Sequence, residues 1–593
     1  MKKLIGIVIL CLIAAALYAM PPSPGSYPTH DGSQHPVLAD TQPSMNRLKN
    51  ARISQPKRIA PAPKSGDRNF LVLLANFTDL SFLPAHDAAY YKKKLETDPN
   101  HLTATKYYQD MSNNALNLSF TVLGPYNVAN TRAYYGGNDP NKSNSDRHAG
   151  GLLAELLLMD SVKTDILACW NNSWDTNGDN YIDTVIVIFP GKAEEDIYNG
   201  QEPDAIWSSQ WNLYSAAHDE DGYLISKLYE RLMTISAAYK NEKGKIFNDF
   251  LIIPEYKEKT REAEIGSLCH EFGHFLGLRD LYDTTYATAG TGCWSVMDVG
   301  AYGSNGNGGS TPGDDPMPLL AWEKYYLGWL TPTTITPSAE PQTFLFSDIE
   351  ESREAWKINL TDDGSQYLLL EGKKANMSGT GKATLESGLL ITHIHDGILN
   401  TYWYDNDINN TKSRPHGINI VEAVSDNYDS TGLGSLWADS FSPMTTKACF
   451  RADTKTILKP YTAAVAYDRN PWTGIALIIG GTATVTSFIL LQSRRKKLIA
   501  LALAGCLMAC AMACDNGSGS SGSYDDEKEN NNGDIINPSG NGQNSTENEK
   551  FPNSNYYTST TNIDSKTGIS GIRITVDCPA GSSSGSFTVV KEE

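Results

Sequence analysis

Positive charge is what this chain lacks most. Its 49 Lys and Arg stand against 68 Asp and Glu, a formal net charge of −19 over 593 residues. Phosphate backbones are bound by a basic face, so a nucleic-acid partner is disfavoured. Cysteine is sparse as well: only Cys169, Cys269, Cys293 and Cys449 lie between the N-terminal leader and residue 493. In an oxidising compartment these allow at most two disulfides with three full pairings open, so stability must come from a packed core. Charged residues at 20% and hydrophobic residues at 40% exclude wholesale disorder and a polytopic membrane protein. A chain of this length needs more than one core.

The first residues read as an export signal. Met1-Lys2-Lys3 is a basic start, Leu4 to Ala16 is a short apolar run, and Leu17-Tyr18-Ala19 fits a cleavage site. The apolar run is shorter than the roughly 20 residues a membrane span requires. A signal peptide over 1–19 predicts a secreted or cell-surface protein, in the extracellular space or outer envelope of a bacterium. Residues 20–67 are rich in Pro and Ser and turn basic from Arg47, the composition of a linker or short pro-segment.

From about 68 to 332 strands alternate with helices, which predicts an α/β (α+β) domain. Phe70 to Ala75 and Thr184 to Phe189 read as buried strands, Leu116 to Val122 as another, and Ala104 to Met111 as a helix. After Leu330 the segments shorten and are separated by Asn, Asp, Gly and Ser, predicting a β-rich second domain over 333–492. Within it, Gly474 to Leu491 carries no charge but turns on Gly480-Gly481, and a terminal hairpin is the favoured reading over a span. Residues 493–514 are basic, then apolar, and end in cysteines, as a bacterial lipoprotein signal does. Membrane association through 474–514 is therefore a candidate property. Residues 515–555 compose a disordered linker, and 556–593 a short β tail with too few strands to form a core alone.

The informative stretch is Cys269-His270-Glu271-Phe272-Gly273-His274-Phe275-Leu276-Gly277-Leu278-Arg279-Asp280. Ile265, Leu268, Phe272, Phe275 and Leu276 recur at helical spacing, predicting a buried amphipathic helix. His270 and His274 are then one turn apart on one face, and two imidazoles so placed can hold one Zn²⁺. Glu271 sits where its carboxylate can reach a water at the metal. Gly277 can adopt a positive φ and end the helix, letting the chain return Asp280 as third ligand with a fourth position left for water. Met297, in Gly292 to Asp298, is placed to support the site from beneath as a methionine-containing turn. Cys269 and Cys293 fall on these two elements, where a disulfide and a buried thiol are equally open.

These residues resemble the secreted M6 metallopeptidases, the immune inhibitor A-like family. The resemblance covers roughly 68–332 and continues more loosely to about 492. It is carried by Phe70 to Asp79, Tyr107 to Ser112, Ala205 to Ser208, Ile253-Pro254-Glu255, His270 to Asp283, Trp294 to Met297 and Trp322 to Leu330. It implies a zincin-like metalloprotease domain with zinc on His270, His274 and Asp280, a catalytic Glu271, and a β domain containing Gly388 to His393. Its implied partners are protein or peptide substrates. Arg279 stands where the family commonly has proline, the pro-region is short, and the chain after 493 is not expected.

A second candidate ion site lies at Asp175-Thr176-Asn177-Gly178-Asp179-Asn180-Tyr181-Ile182-Asp183. Side chains of Asp175, Asn177, Asp179 and Asp183 with the Tyr181 carbonyl follow the spacing of a calcium loop. Asn180 replaces its turn glycine and Ile186 its closing glutamate, so Glu194 or Glu195 would have to close it. The reading is structural Ca²⁺. His393 and His395 share one face of a strand and read as a polar face of the β domain. Tyr302 is a weak candidate for oxyanion stabilisation. The expected function is an exported zinc endopeptidase. The alternative is a surface-displayed binding protein on a catalytically idle peptidase scaffold.

Overall fold

The computed structural model describes residues 18–20, most of 64–421, Cys449, 549–550 and most of 572–591. The chain divides into two units, Met1–Ala466 with Glu547–Glu593 and Tyr467–Thr546, and every described residue belongs to the first. The expected hairpin at 474–491, the lipoprotein-like segment 493–514 and nearly all of the linker lie outside the described residues. So do the leader before residue 18 and residues 21–63.

A six-stranded sheet is the frame. Its strands are β1 (Tyr18–Ala19), β2 (Gly66–Asn76), β3 (Leu116–Asn127), β4 (Val185–Phe189), β5 (Ser209–Asn212) and β6 (Asp249–Pro254), in the order β1-β5-β6-β4-β2-β3. β3, β2, β4 and β6 run parallel, whereas β5 is antiparallel to β6 and β1 antiparallel to β5. The unbroken apolar runs of β2, β4 and β6 are explained by burial on both faces. Alternate residues divide between two cores: Phe70, Val72, Leu74, Ile186, Ile188, Leu251 and Ile253 on one side, Leu71, Leu73, Ala75, Val185, Val187, Phe250 and Ile252 on the other. Helices α1 (Ala88–Glu96) and α2 (Ala104–Met111) cover the first side. Beyond the short helix α3 (Arg132–Gly136), α4 (Ala149–Leu158) and α5 (Asp160–Ala168) cover the second.

The helix expected around His270 is α6 (Gly266–Phe275), on the first side. Phe272 and Phe275 stand edge-on to Phe70 of β2, with centroids 5.0 and 5.7 Å away, and the Tyr108 hydroxyl of α2 donates to the Cys269 carbonyl at 2.5 Å. The sheet and α2 thus hold α6 in place.

Helix α7 (Ala321–Leu327) leads out of this region into β7 (Thr333–Ile335) and β8 (Gln342–Phe346). After the short helix α8 (Ile349–Ser352) come β9 (Trp356–Asn359), β10 (Gln366–Lys373), a small hairpin of β11 (Ser378–Gly379) and β12 (Ala383–Thr384), and β13 (Gly388–His395). Helix α9 (Asp396–Tyr402) and β14 (Ile418–Val421) follow, and the second sheet has the order β14-β13-β10-β9-β7. Its apolar residues are shared with the first region: Tyr367, Leu369, Leu390, Ile394, Leu399 and Ile408 belong to the same core as Phe272 and Leu281. The tail strands β15 (Glu549–Lys550), β16 (Ile572–Asp577) and β17 (Gly585–Lys591) pair in series, and β17 adds to β8. Phe587 packs edge-on to Trp356 and stacks on Phe344, so the tail borrows its core from the body. No described helix is long and apolar enough to cross a membrane.

Candidate metal centre

α6 ends where the sequence suggests. Gly277 has φ +104°, a conformation that L side chains rarely adopt, and the Leu278 amide returns to the Gly273 carbonyl at 3.0 Å. The reversal brings Asp280 back beneath the helix. Among the described residues, His270, His274 and Asp280 form the one group of three His, Cys, Asp or Glu whose ligand atoms converge. The two Nε2 atoms are 3.1 Å apart, and Asp280 Oδ1 is 3.1 Å from His270 Nε2 and 3.2 Å from His274 Nε2. Ligand atoms about 2.1 Å from a tetrahedral zinc stand roughly 3.3 Å from one another. The donor set fits that ion.

Proton positions reinforce the fit. His270 Nδ1 faces the Val296 carbonyl at 2.7 Å and His274 Nδ1 faces the Leu278 carbonyl at 3.1 Å. Carbonyl oxygens only accept, so each Nδ1 carries the proton and each Nε2 presents a lone pair. Two lone pairs and a carboxylate oxygen facing one another within 3.2 Å repel unless a cation lies between them. Burial keeps His270 below the ordinary histidine range, so the ring stays in the neutral form that can ligate.

Glu271 is fully buried, and neither carboxylate oxygen has a hydrogen-bond partner among the described residues. Burial, then Asp280 and Glu195, push its carboxyl well above the usual range. The peptide N–H groups of Gln210 and Met20 point towards it and partly offset this, without closing a full hydrogen bond. An orphaned carboxylate beside three converged ligand atoms is a costly arrangement for a merely structural helix.

Met297 lies under α6. A Cβ placed at Gly273 would come 2.4 Å from its Sδ, so glycine is what lets the methionine pack against the helix between the two histidines. The Met297 carbonyl accepts from Leu281 N at 2.9 Å, tying this turn to the ligand loop. Ser295 Oγ accepts from Met297 N and donates to Glu323 on α7, each at 2.9 Å. Tyr302 is buried with Lys257 Nζ 4.4 Å from its ring centre. The Cys269 thiol is free and buried, so the pairing with Cys293 is not formed.

The calcium reading gains no support from the structure, where the side chains of this turn are engaged within the fold. Asp175 Oδ1 accepts the amides of Gly178 and Asp179, and its Oδ2 accepts from Asn180 N and Lys245 Nζ. Asn177 Oδ1 accepts from Asp179 N, and Asp179 Oδ1 from Tyr181 N. Asp183 Oδ2 is 2.6 Å from the buried Arg68 guanidinium and accepts from Thr176 Oγ1. Lysine, arginine and backbone amides therefore meet the negative charge that an ion was expected to meet. Glu195, one of the two carboxylates considered for closing the loop, is engaged by the Ser208 amide at 3.1 Å. His393 is buried on β13 and meets Gln366 at 3.2 Å, while His395 accepts from Ile398 N at the start of α9; neither belongs to a metal group.

Two features had no counterpart in the sequence reading. β1 lies along the edge of β5, with Met20 N donating to Ser208 O at 3.2 Å and Trp207 Nε1 donating to Met20 O at 2.8 Å. Asn406 reaches Asp280 from the second sheet region, and its only sequence signal is the Asn- and Asp-rich run 405–410.

A helix-borne His-Glu-His set closed by an aspartate defines a metal-dependent hydrolase class of site. Residues 75–330 match the model of the immune inhibitor A peptidase M6 catalytic domain. The pre-pro-metalloprotease PrtV of Vibrio cholerae serotype O1 (strain M66-2) is 29% identical over 240 residues, 38% of this chain and 24% of PrtV. Immune inhibitor A of Bacillus thuringiensis subsp. alesti is 26% identical over 226 residues, 35% of this chain and 30% of that protein. The matched part thus spans less than a third of either relative. A crystal structure of catalytically inactive OgpA from Akkermansia muciniphila with an O-glycopeptide covers 57% of this chain and 92% of its own at 11% identity. Its TM-score is 0.22, too slight a likeness to bear on the fold.

Proposed function

We propose that this chain is an exported zinc endopeptidase with a zincin-like catalytic domain over 68–332, hydrolysing peptide bonds of extracellular proteins. The observation that carries the reading is the convergence of His270, His274 and Asp280 within 3.2 Å beside the unpartnered Glu271 carboxylate. A zinc ion held by these three residues supplies a Lewis acid for the scissile carbonyl and lowers the pKa of water. Glu271 takes the proton from the attacking water and delivers it to the leaving amine nitrogen. Its buried carboxyl, raised by its surroundings, has the proton affinity that a shuttle needs. The Val296 and Leu278 carbonyls hold both imidazoles in the ligating tautomer throughout.

β1 supports a peptide as the substrate. The end of the leader, β1, lies antiparallel to β5, with Met20 N donating to Ser208 O and Trp207 Nε1 donating to Met20 O beside Glu271. Removal of residues 1–19 on export would leave this sheet edge to another polypeptide. Backbone pairing to a sheet edge recognises polypeptide irrespective of sequence. Export rests on the leader composition of residues 1–19.

The rival reading, a binding protein on an idle scaffold, predicts no turnover. The deciding experiment is metal analysis of the purified full chain with casein hydrolysis measured before and after chelation. Near-stoichiometric zinc and chelator-sensitive cleavage, restored by added zinc, are expected. Zinc without cleavage would favour the idle scaffold, and absence of zinc would overturn the metal reading.

A further inference from the structure

The third ligand is held differently from the first two. Each imidazole is braced by a carbonyl from its own side of the chain, whereas the carboxylate of Asp280 is braced by Asn406, 126 residues away in the second sheet region and beyond the family-matched segment. The contact is two-pronged. Asp280 N donates to Asn406 Oδ1 at 3.0 Å, and Asn406 Nδ2 donates to Asp280 Oδ2. A peptide N–H can only donate and a carboxylate oxygen can only accept, so the amide fits in one orientation alone. Oδ1 of Asp280 is thereby the oxygen that faces both histidines, and Oδ2 is turned away into the amide.

Asn406 is itself fixed. It is buried and adopts φ +55°, a left-handed conformation that asparagine tolerates better than most residues. Its neighbour Ile408 lies in the shared core, and Ile408 O accepts from Gly417 N at 2.8 Å. Further along, Asn409 Nδ2 donates to Leu281 O at 2.7 Å and Asn410 Oδ1 accepts from Thr284 N at 2.8 Å. Arg279, where the family commonly has proline, lies with its guanidinium carbon 5.2 Å from the centre of the Trp403 ring. Residues 406–410 thus meet the ligand loop 279–284 at several points, and Asn406 meets the ligand side chain itself.

We infer that Asn406 is a positioning residue of the metal centre, holding Asp280 so that a single carboxylate oxygen is offered to the ion. The inference rests on the zinc reading. Partners of this kind commonly change metal affinity 10- to 100-fold when removed. A monodentate carboxylate also leaves room for the water that a catalytic site must keep.

The test measures zinc affinity of the full-length protein by competition with a chromophoric chelator, together with melting of the metal-free form. Asn406→Asp preserves shape and the left-handed backbone but sets an acceptor against Oδ2. Asn406→Gly removes the side chain and keeps the backbone freedom. Both are expected to weaken zinc binding about 10- to 100-fold. Asn410→Ala, which removes the hydrogen bonds to Thr284, is expected to lower the melting temperature of the metal-free protein and leave zinc affinity within about threefold. Should Asn406→Asp and Asn406→Gly both bind within threefold of wild type, or Asn410→Ala weaken binding as much as they do, the assignment is overturned. A wild-type chain that binds no zinc would instead overturn the metal reading on which it stands.

Discussion

Two acidic turns of this chain look alike in sequence and do opposite things. The turn at 175–183 offers three carboxylates, and every one is answered from within the fold by Lys245, Arg68, a hydroxyl or a peptide amide. The turn at 277–284 offers Asp280 to two lone pairs of nitrogen, and beside it stands a glutamate with no hydrogen-bond partner among the described residues. Ligand-type residues at suitable spacing are common to both. What separates a structural turn from a metal centre is whether the surrounding chain has already satisfied its charge.

That difference can be tested, beginning with the greatest effect. Glu271→Gln should lower casein hydrolysis by at least about 100-fold while zinc stoichiometry, read by elemental analysis, stays at the wild-type level. Retained turnover would remove Glu271 from the chemistry. Next, the two aspartates should part company. Asp280→Ala is expected to lose zinc with modest change in the metal-free stability. Asp183→Ala should keep zinc stoichiometry yet cost about 3–5 kcal/mol in denaturant unfolding, because Arg68 loses its carboxylate in a buried place. Equal zinc loss in both would erase the distinction.

A subtler effect concerns pH. Burial raises Glu323 from 4.5 to about 8, against opposing hydrogen bonds from Leu320 N and Ser295. A carboxyl whose folded pKa is raised favours the folded state below its unfolded value and loses that contribution as pH climbs to the folded value. Stability from this group is therefore fully present below about 4.5 and gone above about 8. Glu323→Gln should flatten the fall in melting temperature across that window; an unchanged slope would refute it. The smallest expected effect is none: millimolar calcium should leave the melting temperature of the zinc-loaded protein where it was. A rise of several degrees would return the turn at 175–183 to the ion-binding class.

Local features were readable from the chain alone. The histidine pair and Glu271 lie within one helical turn whose apolar spacing is itself the signal, and Gly277 marks the reversal that returns Asp280. The buried strands around Phe70 and Val185 announce themselves by unbroken apolar runs. Distant partners were not readable. Lys245 and Arg68 reach the 175–183 turn from 70 and 115 positions away, and no spacing rule anticipates them. Asn406 is hidden for the same reason, since its value comes from the packing of the second sheet rather than from its neighbours in sequence. The edge position of β1 likewise depends on where β5 ends up.

The last strand gives the molecule a property of its own. Because β17 hydrogen-bonds β8 and seats Phe587 against Trp356, the last strand is held to the body by partners about 240 positions earlier in the chain. A single proteolytic cut between residues 551 and 571 would therefore yield two polypeptides that still migrate together under native conditions. They would part only when β8 and β17 are unzipped by denaturant.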